Sequence, residues 1–139
     1  MITEDHVSFG IAKLLKEKGF DDTCRAFWKD WNGELHLCDC SSRHVFEFCR
    51  NSMLEDYNDK EETNIAAPTL QMAMKWLREV HSLYLDIVTS FSQDGICYTF
   101  SCSNTMDLIQ GTKGTSYHEY QTYEQACEAG IKYCLTNLV

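Results

Sequence analysis

The stretch Ala67–His81, APTLQMAMKWLREVH, constrains this chain most, because it carries the clearest helical periodicity and stands between two chemically similar halves. Leu70, Ala73, Met74, Leu77 and Val80 recur at helical spacing while Lys75, Arg78 and Glu79 fall elsewhere, so one broad face is expected to be buried. Ala67-Pro68 favours an extended lead-in, and Thr69 suits the capping of first-turn N–H groups, which predicts a helix starting within a residue or two of Thr69. Met72 and Trp76 lie one turn apart beside that stripe. They widen the apolar arc, so a second layer or a partner is expected over them.

Upstream, Ser8 is placed to cap a helix through FGIAKLLKEKG, with Phe9, Ala12 and Leu15 on one face and Gly19 at its end. CRAFWKDW and ELHLCDC flank Asn32-Gly33, the signature of a hairpin with a type I′ turn, since both central positions accept positive φ. On the second strand Leu35 and Leu37 share one face, and His36, Cys38 and Cys40 the other. SSRHVFEFCRN satisfies neither the strand nor the helix period, and the acidic segment Met53–Ile65 reads as an exposed loop.

Downstream, LYLDIVTSF alternates as a strand with Leu83, Leu85, Ile87 and Phe91 together. A turn over Ser92–Gly95 leads into ICYTFSC, whose inner face holds Ile96, Tyr98, Phe100 and Cys102. SNTMDLIQGTKGTS reads as an irregular excursion before a short strand around Tyr117–Tyr120. Thr122 and Gln125 match a capping box ahead of a helix that carries Tyr123, Cys127, Gly130, Ile131, Cys134 and Leu138. Its small residues Ala126, Cys127 and Gly130 permit close packing onto a sheet.

The two halves also align. AKLLKE at Ala12–Glu17 matches MKWLRE at Met74–Glu79, and the same offset carries Asn32-Gly33 onto Asp94-Gly95. These matches predict an α+β fold of two layers, with a mainly antiparallel sheet, helices on one face, a repeated α-β-β unit and a closing C-terminal helix. The expected organisation is a single domain over 1–139 with an internal pseudo-repeat over 8–50 and 69–103. The exposed sheet face is expected to carry Trp28, His36, Cys38, Tyr84 and Cys97.

Composition narrows the function. The 44% hydrophobic and 24% charged content is ordinary for a globular chain that buries its own core. No apolar run is long enough for a membrane helix, and the acidic start MITEDHVSFG lacks a hydrophobic signal segment, so a cytoplasmic protein is expected. A net charge of -9 opposes attraction to phosphate backbones and anionic membranes. Direct nucleic-acid binding and membrane association are therefore not expected. Eight cysteines spread along such a chain read as reduced thiols, mostly small buried hydrophobes.

Several constellations carry groups capable of chemistry. HLCDCSSRHVFEFC offers His36, Cys38, Cys40, His44 and Cys49 as soft ligands for zinc, Cys38, Cys40, His44 and Cys49 before the rest, although their spacing departs from the C-x(2-4)-C knuckles of structural sites. No metal or cofactor is expected on that pattern. There is no G-x-S-x-G elbow, H-E-x-x-H, Gly-rich phosphate loop or dinucleotide fingerprint, so no catalytic residue is assigned and enzymatic activity is not expected. His81 is placed to favour a helix C-terminus when protonated. The acidic run Glu55–Glu62 suits either a solvated surface or a nucleic-acid mimic directed at a basic host protein. The helix-strand-strand-helix order is shared with double-stranded RNA-binding domains, but the last helix sets Lys132 against Glu124 and Glu128.

VSFGIAKLLKEKGF, APTLQMAMKWLREVHSL and TYEQACEAGIKYCL together resemble a family of small uncharacterised proteins of gut Bacteroidales and their phages or other mobile elements. The resemblance covers both ends and the middle of the chain, without the acidic segment or Cys38–Cys49. It implies an intracellular domain and supplies no catalytic residue. The surplus of Trp and Tyr implies a non-enzymatic module that binds a protein partner or a second copy of itself through Met72, Trp76, Trp28 and Tyr84. An acidic nucleic-acid mimic and a small zinc-binding protein are the alternatives.

Overall fold

Ser8 opens the first helix with an extended backbone (φ -63°, ψ 162°) and a hydroxyl that accepts the Ile11 N–H at 3.4 Å. This capped helix, α1 (Phe9–Glu17), stops at Lys18 and Gly19, the latter at φ +93°. In the computed structural model, residues 1–40, 47–110, 114–115 and 118–139 are described, leaving out the side chains of 108–109 and 114–115. The chain is α+β and divides into two units, Met1–Thr69 and Leu70–Val139.

In the first unit α1 buries Ile11, Ala12 and Leu15. Phe9, expected on that face, is half-buried. Strands β1 (Ala26–Trp31) and β2 (Glu34–Asp39) form the expected hairpin, its turn at Asn32 (φ +50°) and Gly33 (φ +87°), and the Asp30 carboxylate accepts the Gly33 N–H at 2.9 Å. The register sets Trp28 opposite Leu37 and Lys29 opposite His36. Trp28 therefore shares its face with Leu35 and Leu37 and not, as expected, with His36 and Cys38. The helical side of the sheet claims it: its indole N–H donates to the Val7 carbonyl at 2.8 Å, and its ring meets that of Phe9 edge-on at 6.4 Å between centroids.

The acidic segment is not the expected loop. It holds α2 (Asn51–Leu54), a 3-10 turn over Glu55–Tyr57, and β3 (Glu62–Ala66), which joins the sheet in the order β2-β1-β3. Side-chain amides explain a strand that alternation did not announce. Asn64 and Ala66 direct their backbone groups away from β1, since the Ala67 N–H pairs with the Ala26 carbonyl. The Ala66 N–H donates to Asn51 Oδ1 at 2.9 Å and the Asn64 N–H to Asn58 Oδ1 at 2.6 Å, while Asn58 Nδ2 donates to the Asn64 carbonyl at 3.3 Å. Asn51 Nδ2 also donates to the Phe20 carbonyl at 2.8 Å, tying the strand edge to the end of the first helical segment.

In the second unit α3 (Leu70–His81) starts one residue after Thr69, as expected. Its buried side is Leu70, Ala73, Trp76 and Leu77. Val80, assigned to the stripe from its spacing, is 59% exposed in the last turn, and Ser82 at φ +53° turns the chain into the next strand. Strands β4 (Leu83–Ser92) and β5 (Gly95–Asn104) form a long hairpin, joined by the two-residue β6 (Gly114–Thr115) in the order β4-β5-β6. The stretch read as an irregular excursion contains α4 (Thr105–Gln110), closed by reciprocal bonds: the Asp107 N–H to Asn104 Oδ1 at 2.8 Å and the Asn104 N–H to Asp107 Oδ2 at 3.1 Å. Of the strand expected around Tyr117–Tyr120, Tyr117 lies outside the described residues and Tyr120 makes an isolated bridge to Tyr98.

Helix α5 (Tyr123–Asn137) is capped by Thr122, whose hydroxyl accepts the Gln125 N–H at 3.1 Å. It buries Ala126, Cys127, Gly130, Ile131, Cys134 and Leu135; Leu138 stays exposed because the helix ends beneath it. Gly130 sets the spacing between helix and sheet. A Cβ there would sit 2.7 Å from Leu85 Cδ1 and 3.2 Å from Phe100 Cγ, so only the missing side chain allows this approach. The α-β-β order occurs in both units, but the third strand adds to β1 in the first and to β5 in the second.

Two substitutions test this packing. Asn51→Ala is expected to destabilise the protein by about 2–4 kcal/mol, because it strands the Ala66 N–H and the Phe20 carbonyl, and urea unfolding measures the loss. Gly130→Val is expected to cost about 2–3 kcal/mol through overpacking against Leu85 and Phe100, read as a lowered thermal midpoint with the helical circular-dichroism signal retained below it.

Candidate functional site

The first sheet carries more apolar surface than α1 covers. Phe9 and Trp28, both half-buried, continue into Leu37 and Leu35 on the same face of β2, where these leucines are 45% and 47% exposed. Among the described residues β2 is also an edge strand. The Cys40 N–H donates to the Arg25 carbonyl at 2.8 Å, so alternation turns the backbones of Cys38, His36 and Glu34 toward β1 and those of Leu35 and Leu37 outward. An apolar row thus coincides with outward-facing backbone donors and acceptors. The strand has no Pro or Lys to discourage pairing. The opposite sheet edge differs, since the asparagines already described occupy the outward groups of β3.

Charges lie on the other face of this sheet. Lys29 Nζ is 3.0 Å from Glu62 and 5.9 Å from the centroid of the Trp31 ring. The Lys29 ammonium, followed by the Asn64 amide, holds the Glu62 carboxyl below the usual carboxylate range despite some desolvation. Other acidic groups of the segment are also engaged by their own chain: Glu55 pairs with Lys16 at 3.4 Å, and Asp59 Oδ1 accepts the Glu61 and Glu62 N–H groups, each at 2.8 Å.

A second exposed apolar spot lies at the tip of the β4–β5 hairpin, where Phe91 (84% exposed) and Ile96 (61%) are direct cross-strand partners. They continue the face on which Leu85, Phe100 and Cys102 are buried. Sequence alternation placed Phe91 with the core, because periodicity reports the face and not where the helical layer ends.

The expected interaction residues separate. Trp28 belongs to the shelf beside β2. Trp76 is buried, 6% exposed, with its ring edge-on to His81 at 4.5 Å, so it presents little surface to a partner. Met72 and Tyr84 are half-buried. The His81 ring at the end of α3 is partly enclosed: its Nε2 is buried and has no hydrogen-bond partner among the described residues. Ser101 and Ser103, on the β5 face opposite Cys102, are buried in the same condition. Cys97, expected on an exposed face, is buried. Leu35 and Leu37 were missed as site residues, although their apolar alternation in a short strand was visible.

The zinc candidates also separate. Cys40 and Cys49 are buried, with Cys40 Sγ directed at the Cys24 carbonyl at 4.0 Å and Cys49 Sγ at the Ala26 carbonyl at 3.3 Å. Cys24 joins them through a bridge in which it and Cys49 exchange both backbone bonds at 2.8 Å. Burial pushes Cys24 up to about 12 and raises Cys40 and Cys49 as well, which favours neutral thiols over the thiolates a metal needs. Cys38 is half-exposed, its thiol 3.9 Å from the His36 carbonyl, and His44 lies outside the described residues. Among the described residues no three His, Cys, Asp or Glu side chains form a metal-holding group. No helix among them is long and apolar enough to cross a membrane.

Comparison with protein-family models, curated proteins and solved structures gives no match for this chain. The thiol geometry yields a direct expectation. Of the eight cysteines only Cys38 is not buried, so native protein treated with an aromatic disulfide reagent near pH 8 should release one equivalent rapidly. Cys38→Ser should abolish that phase; a persistent fast phase would place the reactive thiol elsewhere.

Proposed function

We propose that this chain is a non-enzymatic interaction module whose working surface is the open edge of β2, taking an additional strand from a protein partner. The observation that carries the reading is the coincidence at Leu35 and Leu37 of exposed apolar side chains with outward-facing backbone groups on an edge strand. Strand addition uses both features: backbone bonds supply affinity, and alternate side chains supply specificity. Trp28 and Phe9 extend the apolar floor on which a partner's side chains would rest. The intracellular setting and residence on a phage or other mobile element enter this reading through the resemblance alone.

The register favours a second copy of the chain as one such partner. Antiparallel pairing of two β2 strands about His36 sets Leu35 of one copy against Leu37 of the other, twice, with backbone groups facing in both pairs. Glu34 then meets Cys38, so no acidic residues oppose each other within that ladder. The acidic segment supports a mimic of nucleic acid less well, because several of its carboxylates already bind their own chain.

Sedimentation and amide exchange test the reading together. The wild-type chain is expected to sediment as a dimer whose Leu35 and Leu37 amides gain protection as concentration rises. The Leu35→Lys/Leu37→Lys variant should be monomeric with an unchanged circular-dichroism spectrum. A wild-type monomer with unprotected amides at these two positions at high concentration would overturn self-pairing.

A further inference from the structure

The second unit holds a pair of thiols that the interaction surface does not use. Cys102 on β5 and Cys134 on α5 are both buried, with their sulfurs 3.2 Å apart. The packing already described brings them there. Leu85 and Cys102 are cross-strand partners on one sheet face, and Gly130 and Cys134 are one turn apart on one face of α5. The contact of Gly130 with Leu85 lowers the helix onto the sheet, and one turn later Cys134 meets Cys102.

We propose that Cys102 and Cys134 are a disulfide-forming dithiol that fastens β5 to α5 when oxidised by hydrogen peroxide. The sulfurs must close from 3.2 Å to a bond of about 2.05 Å, a movement within reach of side-chain rotation. The chemistry balances in two steps. The Cys102 thiolate attacks one peroxide oxygen, the O–O bond breaks, and the leaving hydroxide takes a proton to become water, giving a sulfenic acid on Cys102. The Cys134 sulfur then attacks the sulfenyl sulfur, the S–O bond breaks, and the Cys134 proton leaves in a second water. Two thiols and one peroxide thus give one disulfide and two waters, the sulfurs losing two electrons.

The environment assigns the roles. Donation from the Cys134 S–H lowers the Cys102 thiol against its desolvation, while holding that proton raises Cys134. Cys102, 5% exposed where Cys134 is fully enclosed, is the thiol that peroxide reaches first, so Cys102 attacks and Cys134 resolves. The bond would close the chain segment running through α4 and β6, a long loop whose closure restricts the unfolded state.

Reduced full-length protein would be treated with hydrogen peroxide, denatured, blocked with an alkylating reagent, digested and mapped by mass spectrometry. The expected result is a linked peptide joining Cys102 to Cys134, reversed by a dithiol reductant, with a thermal midpoint raised by about 10 °C. Cys134→Ala should retain a trapped sulfenic acid on Cys102 and lose the midpoint shift. The wild-type map stands independently should that variant fold poorly. Recovery of Cys102 and Cys134 as separately alkylated peptides while Cys38, or the Cys40–Cys49 pair, is oxidised would overturn the proposal, as would a linked peptide with a lowered midpoint.

Discussion

The side chain of Asn51 is the interaction on which the first unit depends. It satisfies one outward backbone group of β3 and, through its amide nitrogen, the carbonyl of Phe20. Edge strands expose backbone groups that must find partners or water, and on β3 asparagines fill that need locally. The requirement is met unequally across the sheet, because among the described residues no such asparagines line the outer side of β2. Its leucines stay half-exposed, and its backbone groups face outward beside them. The asymmetry between two edges of one small sheet is the physical basis of the proposed partner surface.

The second unit is governed by a different constraint, the approach of α5 to β4 and β5. Gly130 removes the one Cβ that would hold the layers apart, and Cys127, Ile131 and Cys134 then pack at close range. This density explains why burial dominates the cysteine chemistry. Desolvation pushes Cys127 up to about 11, as it does Cys24 in the first unit, so these thiols act as small apolar groups. Cys102 and Cys134 differ because each is the other's hydrogen-bond partner.

Caps and turns were legible in the sequence because their chemistry is local. Ser8, Asn32-Gly33 and Thr122 act within three residues of themselves, and each stands where its residue type indicated. Asn104 and Asp107 form the same kind of device, hidden among small polar residues that read as loop. β3 was not legible, since its edge depends on Asn51 and Asn58, and Asn51 is brought to Ala66 only by the fold. The candidate site was half legible: the shared face of Leu35 and Leu37 followed from alternation, but their exposure and the placement of Trp28 on that same face did not.

The sequence by itself determined the α+β class, both hairpins, the helices α1, α3 and α5 and the apolar faces of β2, β4 and β5, because propensity, capping and periodicity act over a few neighbouring residues. Only the tertiary structure decided which parts of those faces are covered. It buried Trp76, exposed Val80, left Leu35 and Leu37 beyond the reach of α1, and set Cys102 against Cys134. Burial depends on where another element ends, and that distance is fixed by packing between residues remote in the chain.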